Sequence, residues 1–211
     1  MDASHMVLTA IGLFALTFLS PGPNLLVVVQ SSLSAGREAG IAAGAGVALG
    51  DAIYAGLGLF GMTAAITSGG LLFSVIKVVG GVYLLWLAFR LMLRHESVQL
   101  DVVPASRGLS LVQYFRRGVV TDLANPQTML FFASVFAVTL TPATPLAVKA
   151  VAWFGIVLTS FVWRVFLSCA FSVPSVRRVY ARTMRLFELL AGGLLGAFGA
   201  RLLIEGVSGH R

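Results

Sequence analysis

Hydrophobic residues in this chain fall into six long runs separated by short polar or proline-containing breaks. The first extends from about Met6 to Leu33 and the second from about Ala39 to Ile66. Thr67-Ser68-Gly69-Gly70 precedes a third run that ends near Leu93. The fourth covers about Gly118 to Leu140 and is closed by Thr141-Pro142-Ala143-Thr144-Pro145. The fifth covers about Leu146 to Val173, and the sixth about Leu186 to Ile204. Each run can form a helix of about 20 residues, enough to cross a hydrocarbon core of about 30 Å. The strict alternation of a membrane β-barrel is absent, and an open sheet leaves its edge groups unsatisfied in lipid. The pattern predicts an all-α membrane protein with six transmembrane helices.

Composition narrows the choice. Of the 211 residues, 58% are hydrophobic and 11% charged, and mean hydropathy is +0.93. A soluble domain carries about 25% charged residues, and disordered chains carry more polar and charged residues still. Neither class fits. The net charge of +7 then reads as a topology signal rather than a nucleic-acid footprint. No Lys or Arg precedes the first run, so it reads as a retained span and not a cleaved signal. Loops after runs 1, 3 and 5 share one side of a six-span bundle. They hold Arg37, then Arg90, Arg94, Arg107, Arg116 and Arg117, then Arg177, Arg178, Arg182 and Arg185 in the connector Pro174 to Arg185. The other side has only Lys149 near a span edge and Arg201 and Arg211 at the end. Positive-inside bias therefore puts the central loop in the cytoplasm and both termini in the periplasm of a bacterial inner membrane.

Three spans, a cytoplasmic basic loop and three more spans give opposite orientations to residues 1–93 and 118–211, with 94–117 between them. This is the arithmetic of two inverted three-helix repeats. Positional evidence agrees, because runs 1 and 4 both contain a proline-centred break. In run 1 it is Ser20-Pro21-Gly22-Pro23-Asn24. Pro21 and Pro23 remove two backbone donors and Gly22 loosens the segment between them. A half-helix can resume from Asn24 to Gln30 with Pro23 in its first turn, its amides aimed into the bilayer interior and favouring a carboxylate. In run 4 the break is Asn125-Pro126-Gln127, where Pro126 frees the carbonyl of Asp122. A kink used only for packing is the alternative at both places.

Four ionisable residues inside runs bear most on function. Asp51 lies about 12 residues into run 2, roughly 18 Å from its start at 1.5 Å per residue and so near the midplane. A carboxylate there is expensive and by default functional; Tyr54, Ala55 and Gly58 share its face. Asp122 is placed nearer the cytoplasmic end of run 4, either functional or at a solvated edge. Arg164 either snorkels or pairs with Asp51 or Asp122, and Lys77 is read as snorkelling. Gly36, Gly40, Gly44, Gly46 and Gly50, and Gly192, Gly193, Gly196 and Gly199, form stripes suited to close helix packing. They also leave self-association into a homo-oligomer open. Trp86, Trp153 and Trp163 read as packing or interface anchors. Cys169 is the sole cysteine, and His5, His95 and His210 lie in loops or tails. No Cys or His cluster offers a metal site, and no Ser/His/Asp set or phosphate loop suggests an enzyme. No cofactor is expected.

Taken together, these residues resemble the LysE/RhtB family of amino-acid exporters. The resemblance covers nearly the whole chain. It rests on Ser20-Pro21-Gly22-Pro23-Asn24, the glycine series ending in Gly50-Asp51, and Gly118 through Asn125-Pro126 to Phe131-Phe132. It implies export of an amino acid or close relative from the bacterial cytoplasm, driven by proton antiport. The family has Lys after Asn-Pro; here Gln127 stands in its place, so handling of substrate or ion by that charge does not carry over.

The expected partners are a neutral or hydroxylated amino acid, a coupling proton and the lipid bilayer. The break Pro21, Gly22, Pro23 and Asn24, with Asn125 and Pro126, is expected to hold the carboxylate. Asp51 is expected to take the amine or the proton, with Asp122 as second coupling candidate and Arg164 as charge partner. The rival readings are an exporter of another small solute or a metal, and a non-transporting scaffold. Scarce intramembrane Cys, His and carboxylates oppose a metal, and a scaffold leaves Asp51 beside two helix breaks unexplained.

Overall fold

A computed structural model describes residues 3–18, 22–67, 70–93, 109–139, 144–171 and 173–208. Among these, the elements are α1 (Ala3–Thr17), α2 (Pro23–Ala35), α3 (Arg37–Thr67), α4 (Gly70–Leu93), α5 (Leu111–Leu123), α6 (Pro126–Thr139), α7 (Leu146–Ala170) and α8 (Pro174–Ser208), with no strand. The eight helices are the six runs with the first and fourth each cut in two at the prolines. Arg37–Phe60 and Leu146–Ala170 are long and apolar enough to cross a bilayer, while Ser4–Thr17 and Pro126–Phe136 are shorter apolar helices.

Local chemistry sets the helix starts. Pro23 opens α2, where its missing N–H costs nothing, and Gly22 precedes it in extended conformation. Gly36 separates α2 from α3 at φ +89°, a backbone geometry that penalises any side chain. Helix α5 opens with a capping box: the Gln113 amide donates to Ser110 Oγ at 3.3 Å, and the Ser110 amide to Gln113 Oε1 at 2.7 Å.

Three expectations change here. Leu111–Arg117, assigned to the central loop, forms the start of α5, because the Ser110 cap outweighs the local drop in hydropathy. Residues 94–108 of that loop lie outside the described residues. The connector Pro174 to Arg185 is the first part of α8. Arginine is a good helix former and Pro174 occupies the tolerated first position, so the polar stretch does not interrupt the helix. His5 belongs to α1 rather than to a tail.

The bundle is apolar outside and charged inside. Leu57, Phe89 and Phe154 are 64–65% exposed, whereas Asp51, Asp122 and Arg164 are 1%, 0% and 6% exposed. Water would favour the reverse arrangement; lipid favours this one. The apolar core is centred on Phe14, Phe131, Phe132 and Phe136 from α1 and α6, with Leu84 and Leu87 of α4 and Leu195 of α8.

Glycines place α3 against α5. A Cβ on Gly46 would collide with the Phe115 carbonyl, and one on Gly118 with the Ala43 carbonyl. Both obstacles are backbone, so neither can swing aside. Gly118→Ala is therefore expected to destabilise the protein by about 1–3 kcal/mol, the usual cost of overpacking. Gly193→Ala, which has nothing within 4 Å of the new Cβ, should be neutral or stabilising. Thermal unfolding of both variants in detergent checks the contrast.

Lys77 of α4 pairs with Glu205 of α8 at 3.2 Å, and Arg201 reaches the same carboxylate at 2.8 Å. Close packing of α4 on α8, seen at Gly81 and Gly199, brings the acid within reach.

Candidate functional site

The two helix breaks meet at the centre of the bundle, and the acids of α3 and α5 lie beside them. The breaks leave backbone groups that must find partners in protein. The carbonyl freed at Asp122 accepts the Asn125 amide at 3.0 Å. Leu123 O accepts Tyr54 Oη–H from α3 at 2.7 Å, and Gln127 O accepts Tyr83 Oη–H from α4 at 2.9 Å. Asn125 Oδ1 caps α6 by accepting the Gln127 amide at 3.0 Å. Half of the Asn125 amide expected to face a substrate is thus used to hold the break.

Asp51 projects from the middle of α3 onto α7. Its Oδ2 pairs with an Arg164 guanidinium nitrogen at 3.0 Å and accepts the Ser160 hydroxyl at 2.7 Å. Of the alternatives for Arg164, the structure adopts pairing with Asp51. Arg164 and Ser160 are one turn apart on α7, so one helix face supplies both donors. The Arg164 guanidinium also faces the Phe18 ring, 5.7 Å away, and Phe18 stacks on Trp163 at 5.3 Å. Gly44 of α3 makes room for the stem of Arg164, since a Cβ there would meet Arg164 Cβ at 2.8 Å.

Asp122 is fully buried, not at a solvated edge, because α5 begins at Leu111 and carries it to the break between α5 and α6. Its Oδ1 accepts Asn24 Nδ2 at 2.5 Å and Thr128 Oγ1 at 3.1 Å. Asn24 Nδ2 also reaches Thr128 Oγ1 at 3.2 Å. The first break, the second break and one acid are therefore hydrogen-bonded to one another. Gly50 lies against Asp122, and a side chain there would displace the carboxylate.

Among the described residues, three buried polar atoms have no hydrogen-bond partner: Asn24 Oδ1, Asp122 Oδ2 and Arg164 Nε. Unpaired buried polar groups cost about 1–3 kcal/mol each, more when charged, so three of them around the two breaks make this the candidate site. Asn24 and Arg164 line a cavity of about 60 Å³ with Asp51, Asn125, Gln127, Thr128 and Thr17, and Asp122 lies behind it, bonded to Asn24 and Thr128. The cavity's remaining walls include Phe14, Phe18, Phe131, Phe132 and Trp163. The volume suits several waters or the charged head of a small molecule. Asp51 brings a carboxylate to the cavity and Arg164 the guanidinium that pairs with it. Gln127 brings no charge to the cavity; Arg164 does, from another helix.

Of the residues expected to bind or couple, Gly22, Asn24, Asp51, Asn125 and Arg164 line this cavity. Asp122 joins it through Asn24 and Thr128. Pro23 and Pro126 open α2 and α6 but face the neighbouring cleft described below. Pro21 lies outside the described residues. Ser160 and Thr128 were not anticipated. Ser160 is four residues from Arg164, and Thr128 two residues after Pro126; an apolar run with an isolated hydroxyl gives no further signal. Trp163 is a cavity wall, while Trp153 donates to Ala52 O at 2.9 Å and ties α7 to α3.

Comparison with known proteins gives a consistent result. A family model described as LysE type translocator matches residues 2–206. The chain is 51% identical over 208 residues to an uncharacterised membrane protein, YahN, of Escherichia coli K12, covering 99% of this chain and 93% of the relative. It is 33% identical to a leucine efflux protein of Klebsiella pneumoniae, covering 87% and 88% of the two chains. A threonine efflux protein of Salmonella typhi is 30% identical, with coverage of 89% and 92%. No solved structure matches.

Proposed function

The chain belongs to the LysE type translocator family, and from that premise we propose that it exports a neutral amino acid across the bacterial inner membrane in exchange for a proton. The observation that carries this reading is the cluster of unpaired buried groups between the two helix breaks. An amino-acid zwitterion complements it. The ammonium fits Asn24 Oδ1 in the cavity, with the Asp122 carboxylate directly behind, bonded to Asn24 Nδ2. The zwitterion's carboxylate fits Arg164 Nε and the amide end of α2, where the helix dipole also favours an anion.

Exchange follows from the charges. Arg164 already balances Asp51, and the second carboxylate has no cation of its own among the residues lining the cavity. A substrate ammonium needs Asp122 ionised, so proton and substrate occupy it in turn. A non-transporting scaffold needs none of these groups. Asp51, expected to be the leading coupling residue, becomes the anchor that holds Arg164, and Asp122 becomes the exchange site.

Six spans in two inverted triplets remain the architecture proposed here. Supporting it, the third helices of the two halves pack on each other (α4 on α8), the second do likewise (α3 on α7), and α3 beside α5 is matched by α7 beside α1. The basic residues around runs 3 and 5 support termini on the periplasmic side.

Inverted membrane vesicles from cells overproducing the chain are expected to accumulate labelled neutral amino acids at least about tenfold above vesicles without it, the factor that one 1.4 kcal/mol interaction supplies. No accumulation of any amino acid would reject the reading.

A further inference from the structure

A second and larger compartment adjoins the central cavity. It measures about 650 Å³ and lies between α4 and the first turns of α2 and α6, within the size range of small-molecule pockets. Among the described residues α2 and α4 form no extended contact, and the cleft occupies the gap between them. Gly22, Leu87, Asn125 and Gln127 line both compartments. The partition is thin at Gly22, which presents only hydrogen toward Gln127; a methyl group there would touch Gln127 Oε1 at 3.6 Å.

The two compartments differ in chemistry. The central cavity brings the Asp51 carboxylate and the Arg164 guanidinium together in about 60 Å³, room for a charged head group but not for a bulky substrate. Beyond the partition the cleft is lined by Leu26, Leu91, Leu130, Tyr83 and Trp86. The Tyr83 hydroxyl is occupied by Gln127 O. Arg90 marks the far end, its guanidinium 5.3 Å from the centre of the Trp86 ring. A polar head site therefore shares a thin wall, at Gly22 and Gln127, with a wide apolar trough.

We infer that the cleft receives the substrate's side chain, and that this exporter prefers amino acids with large apolar or aromatic side chains over glycine, alanine or threonine. The inference rests on the amino-acid export reading and names the substrate class within it. The occupant follows from continuity: the trough shares four wall residues with the head site, and among the described residues its polar side chains are Asn125, Gln127 and the Tyr83 hydroxyl at the partition and Trp86 and Arg90 beyond it. One methylene in an apolar pocket changes selectivity by about tenfold or more, so a side chain of four or more carbons should dominate.

The test is exchange of labelled leucine in proteoliposomes, with unlabelled glycine, alanine, threonine, leucine, phenylalanine and tryptophan as competitors. The expected result is that leucine, phenylalanine and tryptophan compete at least about tenfold better than alanine. Leu26→Trp, which narrows the trough from α2, should lower the ratio of large to small amino-acid flux by at least about tenfold. Leu130→Trp narrows it from α6 and repeats the test if the first variant does not insert. Equal competition by small and large amino acids would overturn this inference and leave export standing. So would an unchanged flux ratio in the inserted variants, which would assign the trough to a lipid chain. Absence of exchange with every amino acid would overturn both.

Discussion

Arg164→Leu is expected to lower stability by about 3–5 kcal/mol and to abolish export, whereas Arg164→Leu combined with Asp51→Asn should regain most of the stability and none of the export. The single substitution leaves Asp51, 1% exposed, without its 3.0 Å partner, and stranding one member of a buried ion pair carries a cost of that size. The double substitution removes both charges and leaves Ser160 to donate to the new amide's oxygen. An isolated buried pair often replaces well with neutral groups, so stability and function should separate. Thermal unfolding in detergent of the unmodified protein, Arg164→Leu, Asp51→Asn and the double variant gives the coupling energy. A double variant no more stable than Arg164→Leu would show that the pair is not the source of the loss.

The second large effect is expected at Asp122. Asp122→Asn keeps an oxygen for the Asn24 and Thr128 donors at 2.5 and 3.1 Å and presents an amide nitrogen where Oδ2 was unpaired. The fold should survive, since a buried amide costs less than a buried carboxylate. Export should fall by at least about tenfold, one 1.4 kcal/mol interaction's worth, and cease to respond to pH. The new amide can neither take up a proton nor offer a carboxylate to an ammonium. Asp51→Asn should differ: it leaves Arg164 without its counter-charge, so stability and export should fall together. Comparing the two variants for folded yield and flux separates exchange site from anchor.

Much of the candidate site is legible in the chain because its signals are rare in apolar runs. A buried carboxylate at Asp51, a guanidinium at Arg164 and two proline breaks each violate the rule that spans are apolar and continuous, and such violations concentrate at function. Who pairs with whom was not legible. Asp51 and Arg164 are far apart in sequence, and nothing local distinguishes Asp51 from Asp122 as the partner. Asp122 was misplaced toward an edge because hydropathy starts run 4 at Gly118, while the Ser110 cap starts α5 at Leu111. The same blind spot hid the helical state of the Pro174 to Arg185 connector: hydropathy reports the solvent, and backbone hydrogen bonding does not follow it at helix ends. Cavity polarity was harder still. Ser160 and Thr128 acquire meaning only when helix packing turns them toward an acid.

The most direct test of proton exchange at Asp122 is amino-acid flux in proteoliposomes with and without an imposed pH gradient, for the unmodified protein and Asp122→Asn. The unmodified protein should accelerate export of the labelled amino acid when protons are supplied from the opposite side. Asp122→Asn should show low flux that is the same with and without the gradient. Flux in Asp122→Asn that responds to the gradient as the unmodified protein does would contradict the account.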